Sequence, residues 1–163
     1  MKLLPFMMAL LATIMFSSCQ SSKSEMVHRA KQNLEASLDY PKQLKVIAHT
    51  QPDSAFGVTY FTRKEITGML KVMDIVTKQL MAKTKDVNDI SSVDVYTAAL
   101  MRRQMNAATD VQTMIFKNVP KGQWSGWKVK IDYECVDKDG IKYRAERWVF
   151  FDKEGKNVIK TFE

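Results

Sequence analysis

From Trp127 to Cys135 apolar and charged residues alternate without a break: Trp127, Val129, Ile131, Tyr133 and Cys135 against Lys128, Lys130, Asp132 and Glu134. A period of two is the pattern of a β-strand with one face in a core and the other in water. A slip of one residue would expose the whole apolar set, so this segment fixes a sheet and its orientation together. Asp137-Lys138-Asp139-Gly140 then turns the chain, and Ile141, Tyr143, Ala145, Val149 and Phe151 supply the next inward face. Asp152-Lys153-Glu154-Gly155 repeats the turn chemistry before a last strand over 158–162.

The turn leaves two registers open. A two-residue loop at Lys138-Asp139 would set the apolar face opposite Lys142, Arg144 and Glu146 and is rejected. A three-residue loop ending at Gly140 pairs Glu134 with Arg144 and Tyr133 with Ala145, with the glycine at the left-handed position. A shift by two pairs Glu134 with Lys142, Asp132 with Arg144 and Lys130 with Glu146. Turn chemistry favours the first and charge complementarity the second.

Upstream the period lengthens to that of a helix. Val27, Ala30, Leu34 and Leu38 form one stripe over 25–39, which Pro41 stops. Leu44, Val46 and Ala48, the turn residues Gln51-Pro52-Asp53-Ser54, and Phe56, Val58 and Tyr60 predict a hairpin. Thr62-Arg63-Lys64-Glu65 is a capping box. Behind it Ile66, Met69, Leu70, Met73, Val76 and Leu80 predict a helix to about Lys83. A polar loop follows over 84–90. Ser91-Ser92-Val93-Asp94 opens another helix, whose stripe of Val93, Tyr96, Leu100, Ala107, Val111 and Met114 runs to about Lys117. Asn118 to Gly126, with Pro120 and two glycines, breaks it. The order α-β-β-α-α-β-β-β predicts a two-layer α+β domain, three helices packed on one face of an antiparallel sheet of about five strands. A leading helix followed by a long meander loosely resembles cystatin-like and NTF2-like domains. That resemblance implies a curled sheet as the alternative topology, although the early hairpin and paired central helices depart from both.

The N-terminus is of a different kind. Lys2 is followed by an uncharged, mostly apolar run from Leu3 to Phe16, and then by Ser17-Ser18-Cys19. A charged start, a short apolar stretch and small residues make a secretory signal, too short to span a bilayer. The ending resembles the lipobox of bacterial lipoproteins, with Phe16 where leucine is usual. The resemblance covers residues 1–19. It implies cleavage before Cys19, a diacylglycerol on its sulfur and an acylated N-terminus, hence a membrane anchor. Gln20 in place of aspartate implies the outer rather than the inner membrane. The expected organisation is a cleaved signal over 1–18, a polar tether over 19–25 and one globular domain over 26–163.

Removing residues 1–18 takes one lysine and leaves 145 residues with a formal charge of +6. That charge suits anionic lipid or polysaccharide phosphate. No nucleic-acid motif accompanies it. With Cys19 acylated, Cys135 has no disulfide partner within the chain and the fold relies on its core.

Chemistry-bearing residues are few. Cys135 shares a face with core residues, and a Cys-dependent hydrolase would need His28 or His49 within hydrogen-bond reach. No metal-ligand spacing and no cofactor motif is present. Asp132 and Glu134 face Lys142 and Arg144 and read as an ion ladder rather than an acid–base pair. All seven methionines after Cys19 fall in predicted helices, and suit either core filling or adaptable binding. The best surface candidates are Trp124, Trp148 and Phe150, with Lys128 and Arg144 nearby, because aromatics on an otherwise charged strand face mark interfaces. The expectation is a non-enzymatic, envelope-anchored lipoprotein that binds a partner protein or an envelope component. The alternative is a small-molecule-binding domain with its pocket between the sheet and the Met-rich helices.

Overall fold

The computed structural model of the chain describes residues 22–83, 93–117 and 122–163. The signal segment 1–18, Cys19, the loop 84–90, Ser91-Ser92 and Pro120 lie outside the described residues. Among those residues the fold is α+β as expected, with three helices and a five-stranded antiparallel sheet. The elements are α1 (22–36), β1 (Lys45–His49), β2 (Asp53–Phe56), α2 (Arg63–Lys83), α3 (Val95–Lys117), β3 (Trp124–Val136), β4 (Lys142–Phe151) and β5 (Val158–Phe162). The chain divides into two compact units. One holds the described residues up to Ser54 together with Gly126–Glu163, and the other is Ala55–Ser125.

The sheet runs β1-β3-β4-β5, with β2 also pairing with β3. Trp127, Val129, Ile131, Tyr133 and Cys135 of β3 face the core, beside Tyr143, Val149 and Phe151 of β4. Met26, Val27, Ala30 and Leu34 of α1 close that core. Each large side chain so covered contributes about 1.5–3 kcal/mol. The helix ends five residues before Pro41, and just beyond it Ser37 Oγ donates to the Leu34 carbonyl at 2.7 Å. Pro41 then opens a single 3-10 turn, Pro41–Gln43.

The register follows turn chemistry. Glu134 lies opposite Arg144 and Tyr133 opposite Ala145. Asp137 Oδ1 accepts from the amides of Asp139 and Ile141 at 3.0 and 2.9 Å, and Gly140 takes φ +79°. The second Asp-Lys-x-Gly segment is built alike. Asp152 Oδ1 accepts from Lys156 N at 2.8 Å, and Gly155 has φ +70°. Burial works to raise the Asp152 carboxyl, and the hydrogen bonds it accepts from Lys156 and Asn157 outweigh that and hold it below its ordinary value. Two of the three charge pairs of the other register survive as diagonals. Arg144 grips Asp132 at 3.0 and 2.5 Å, and Lys130 reaches Glu146 at 2.9 Å. Long side chains span the diagonal neighbour, so register and charge pairing need not compete.

The early hairpin is corrected. β1 and β2 both pair with β3 rather than with each other. Residues 51–52 carry the chain onward without reversing it: Thr50 N already bonds the Lys130 carbonyl at 2.9 Å, and Pro52 has no N–H to close a ladder. Phe56 and Val58 are exposed accordingly.

In the second unit the capping box forms as expected. Thr62 N donates to Glu65 Oε2 at 2.7 Å and Glu65 N to Thr62 Oγ1 at 3.3 Å. Asp94 caps α3 by accepting from Thr97 N at 3.0 Å and Thr97 Oγ1 at 2.7 Å. The Thr97 hydroxyl and amide hold the Asp94 carboxyl below its ordinary value. Gln104 of α3 donates to the Met73 carbonyl of α2 at 3.0 Å, which joins the two helices into a hairpin.

Candidate functional site

The two faces of the β3–β4 ladder hold the chemistry. On the face away from α1, polar and aromatic residues are graded along the strands. Toward the Asp137 turn the face is ionic. Lys45 meets Glu134 at 3.3 Å, Arg144 meets Asp132, and Lys130 meets Glu146. The Arg144 guanidinium holds the Asp132 carboxyl below its ordinary value, and Asp132 raises Arg144 in return. Toward the other end the face is aromatic. Trp148 lies opposite Lys130 on β3 and Phe162 on β5. Lys128 Nζ is 5.9 Å and Lys130 Nζ 5.7 Å from the Trp148 ring centroid, within cation–π range on both counts.

The five expected surface residues therefore separate. Arg144 is exposed and Trp148 half-buried. Lys128 and its cross-strand neighbour Phe150 are 2% and 0% exposed, so neither is a surface contact. Trp124 is exposed in the other unit. What the ladder leaves accessible is part of the Trp148 ring beside Lys130, followed by the Arg144–Asp132 fork. That combination stacks on a flat group and pairs with an anion; nothing in it makes a nucleophile.

The face toward α1 carries a cluster that strand parity implies. Arg147 stands between Ala145 and Val149, opposite Ile131, and so projects into the core side. Its side chain is 12% exposed. It pairs with Glu163 Oε2, and its Nη1 donates to Ser37 Oγ at 3.2 Å. Tyr133 Oη donates to the other oxygen of Glu163 at 3.0 Å. Burial pushes the Tyr133 phenol well above its ordinary value. Burial also works to lower Arg147, and the charges and hydrogen bonds of Glu163 and Tyr133 together outweigh it and hold the guanidinium up. Counting inward positions strictly by twos from Tyr143 finds Arg147; looking only for apolar residues passes over it.

Cys135 is buried, and its thiol lies 3.5 Å from the Tyr40 carbonyl. His49 pairs with Ile131, four residues along β3 from Cys135, about 13 Å at strand spacing. His28 is exposed on α1. Neither histidine is brought to the thiol, so no Cys–His dyad is assembled. Among the described residues no three His, Cys, Asp or Glu side chains converge in a way that would hold a metal ion. No described helix is long and apolar enough to cross a membrane.

No family model matches the chain, and no curated protein or solved structure matches it either.

Proposed function

We propose that this chain is an exported lipoprotein, held in the bacterial envelope by acyl chains on Cys19, whose folded part binds a partner protein or envelope component without catalysing a reaction. The observation that carries the reading is the uncharged run Leu3–Phe16 closed by Ser17-Ser18-Cys19 and followed at once by polar residues. Two or more acyl chains anchor stably where one would not, and Gln20 favours the outer membrane. The binding role is supported by Trp148, half-buried with Lys128 and Lys130 both in cation–π range, and by Arg144, exposed four pairs along the ladder on the same face.

The anchor is tested by expressing the full chain in a bacterial host fed labelled palmitate. Label retained by the wild type and lost in Cys19→Ser, with the variant released from the membrane fraction, supports it. An unlabelled wild type cut elsewhere refutes it. The binding role is tested by affinity capture of the lipidated protein from detergent-solubilised envelopes. A stoichiometric partner lost on Trp148→Ala supports the site, and a partner retained by that variant moves the site elsewhere.

A further inference from the structure

The α2–α3 hairpin has two flanks. Gln104 bonds both the Met73 carbonyl and Thr77 Oγ1, at 3.0 and 3.2 Å, and so marks the seam between the helices. Ile66 and Leu80 of α2 and Val111 and Met114 of α3 are buried. At 3.6 residues per turn Ile66, Leu80 and Val111 lie at or beside that seam and Met114 to one side of it. The same count puts Leu70 and Met81 of α2, and Met105 and Phe116 of α3, on the opposite flank. These four are exposed: Leu70 by 39%, Met81 by 49%, Met105 by 68% and Phe116 by 90%. Val72, Ile75, Val95, Tyr96 and Ile115 are exposed as well, off this flank, but the four that share it include the most exposed, Phe116; large apolar side chains that share an exposed flank mark a contact surface.

Charge selects the occupant. Lys71, Lys78 and Arg102 are exposed beside the apolar four, and the acid on this flank, Asp74, is paired with Lys78 at 2.7 Å. Ala55–Ser125 as a whole has ten basic residues against six acidic ones. A second copy laid face to face would set these cations against themselves. An anionic lipid surface neutralises them and accepts the apolar side chains below the headgroups. Apolar residues interleaved with Lys and Arg are the composition of a helix that lies in a membrane interface.

We infer that the exposed flank of the α2–α3 hairpin is a membrane-docking face for anionic lipid, on the membrane to which Cys19 anchors the chain. The inference rests on the lipoprotein reading for its biological setting, and the test is made without the anchor so that the two fail separately. The chain from residue 19 onward, unacylated and carrying Cys19→Ser, is sedimented with vesicles of equal parts phosphatidylglycerol and phosphatidylethanolamine, and with vesicles of phosphatidylcholine alone. The expected result is partition onto the anionic vesicles, weakened by salt, and weaker by about tenfold or more in Met105→Glu/Phe116→Glu. Both side chains are exposed, so the variant keeps its fold, which an unchanged near-ultraviolet circular dichroism spectrum verifies. A wild type that ignores anionic vesicles overturns the inference, as does a variant that binds them equally. A concentration-dependent dimer abolished by the same two substitutions, with no vesicle binding, overturns it in favour of self-association. An absence of acylation at Cys19 in cells would remove the anchor while leaving the vesicle result to stand or fall by itself.

Discussion

Replacing Glu163 with alanine isolates the one charge that the sheet places on its core side. The side chain of Arg147 is 12% exposed, and Glu163 supplies its counter-charge while accepting from Tyr133. In Glu163→Ala the guanidinium loses its counter-charge and keeps the Ser37 hydroxyl, at 3.2 Å, while its Nε has no hydrogen-bond partner. Breaking a fully buried pair from one side costs about 3–5 kcal/mol. The Glu163 side chain is one-third exposed, and that access to water puts the expected loss at the lower end, about 3 kcal/mol. In urea, with a slope of about 2 kcal/mol per molar, the midpoint falls by about 1.5 M. Arg147→Met keeps the apolar stem and removes the charge. In that background Glu163→Ala leaves no orphaned ion, and the double variant is expected within about 1 kcal/mol of wild type. The assay is urea unfolding of all four proteins, followed by tryptophan fluorescence. The reasoning is refuted if Glu163→Ala costs less than about 1 kcal/mol, or if adding Arg147→Met restores nothing.

Two further outcomes are expected. The Tyr133 phenol is raised by burial, so at high pH the unfolded chain loses a proton that the folded chain keeps. Its contribution is fully present below the unfolded pKa of about 10 and declines above it, by up to about 1.4 kcal/mol per pH unit. Tyr133→Phe should make the alkaline fall in urea midpoint shallower by that amount, and an unchanged slope would show that another group controls it. A Cβ on Gly126, at φ +146°, would stand 2.1 Å from the Phe151 carbonyl oxygen, whereas one on Gly140, at φ +79°, meets nothing within 4 Å. Gly126→Ala should therefore cost more than about 3 kcal/mol and Gly140→Ala about 1 kcal/mol; equal losses in urea would rule out the close approach as the cause.

The fold was legible where local chemistry is self-contained. The alternation of β3, the two Asp-Lys-x-Gly turns and the Thr62–Glu65 box each involve residues near in sequence, and each forms as the residues imply. The sequence leaves the register at the first turn between two choices, because direct cross-strand charge pairing and turn geometry point to different ones. Arg144 is long enough to reach Asp132 on the diagonal, so turn geometry decides alone. Pro52-Asp53 has turn chemistry in isolation, which suggests a hairpin that does not form. Only the presence of β3, more than seventy residues later, shows that both strands have a shared partner. The candidate surface was half legible. Trp148 and Arg144 keep the expected face of β4, while the burial of Lys128 and Phe150 is a tertiary fact that strand parity cannot supply.

Local and global signals agree through the unit built on β3–β4: the apolar face of each strand is buried, each turn residue has its bond, and the one inward charge has its counter-charge. In the α2–α3 hairpin they diverge. Its caps, stripe and seam are satisfied, yet Met105 and Phe116 stand in water on a helix that has already buried Val111 and Met114. Natural sequences tend to break local rules where function requires it. Phe116 contributes little to the hairpin's own stability at that exposure, so its replacement by glutamate should leave folding intact. If the same replacement abolishes attachment to anionic vesicles, the mismatch marks where the protein meets its membrane. If attachment survives, the excess apolar surface has another partner, and the ladder around Trp148 remains the place where binding is to be sought.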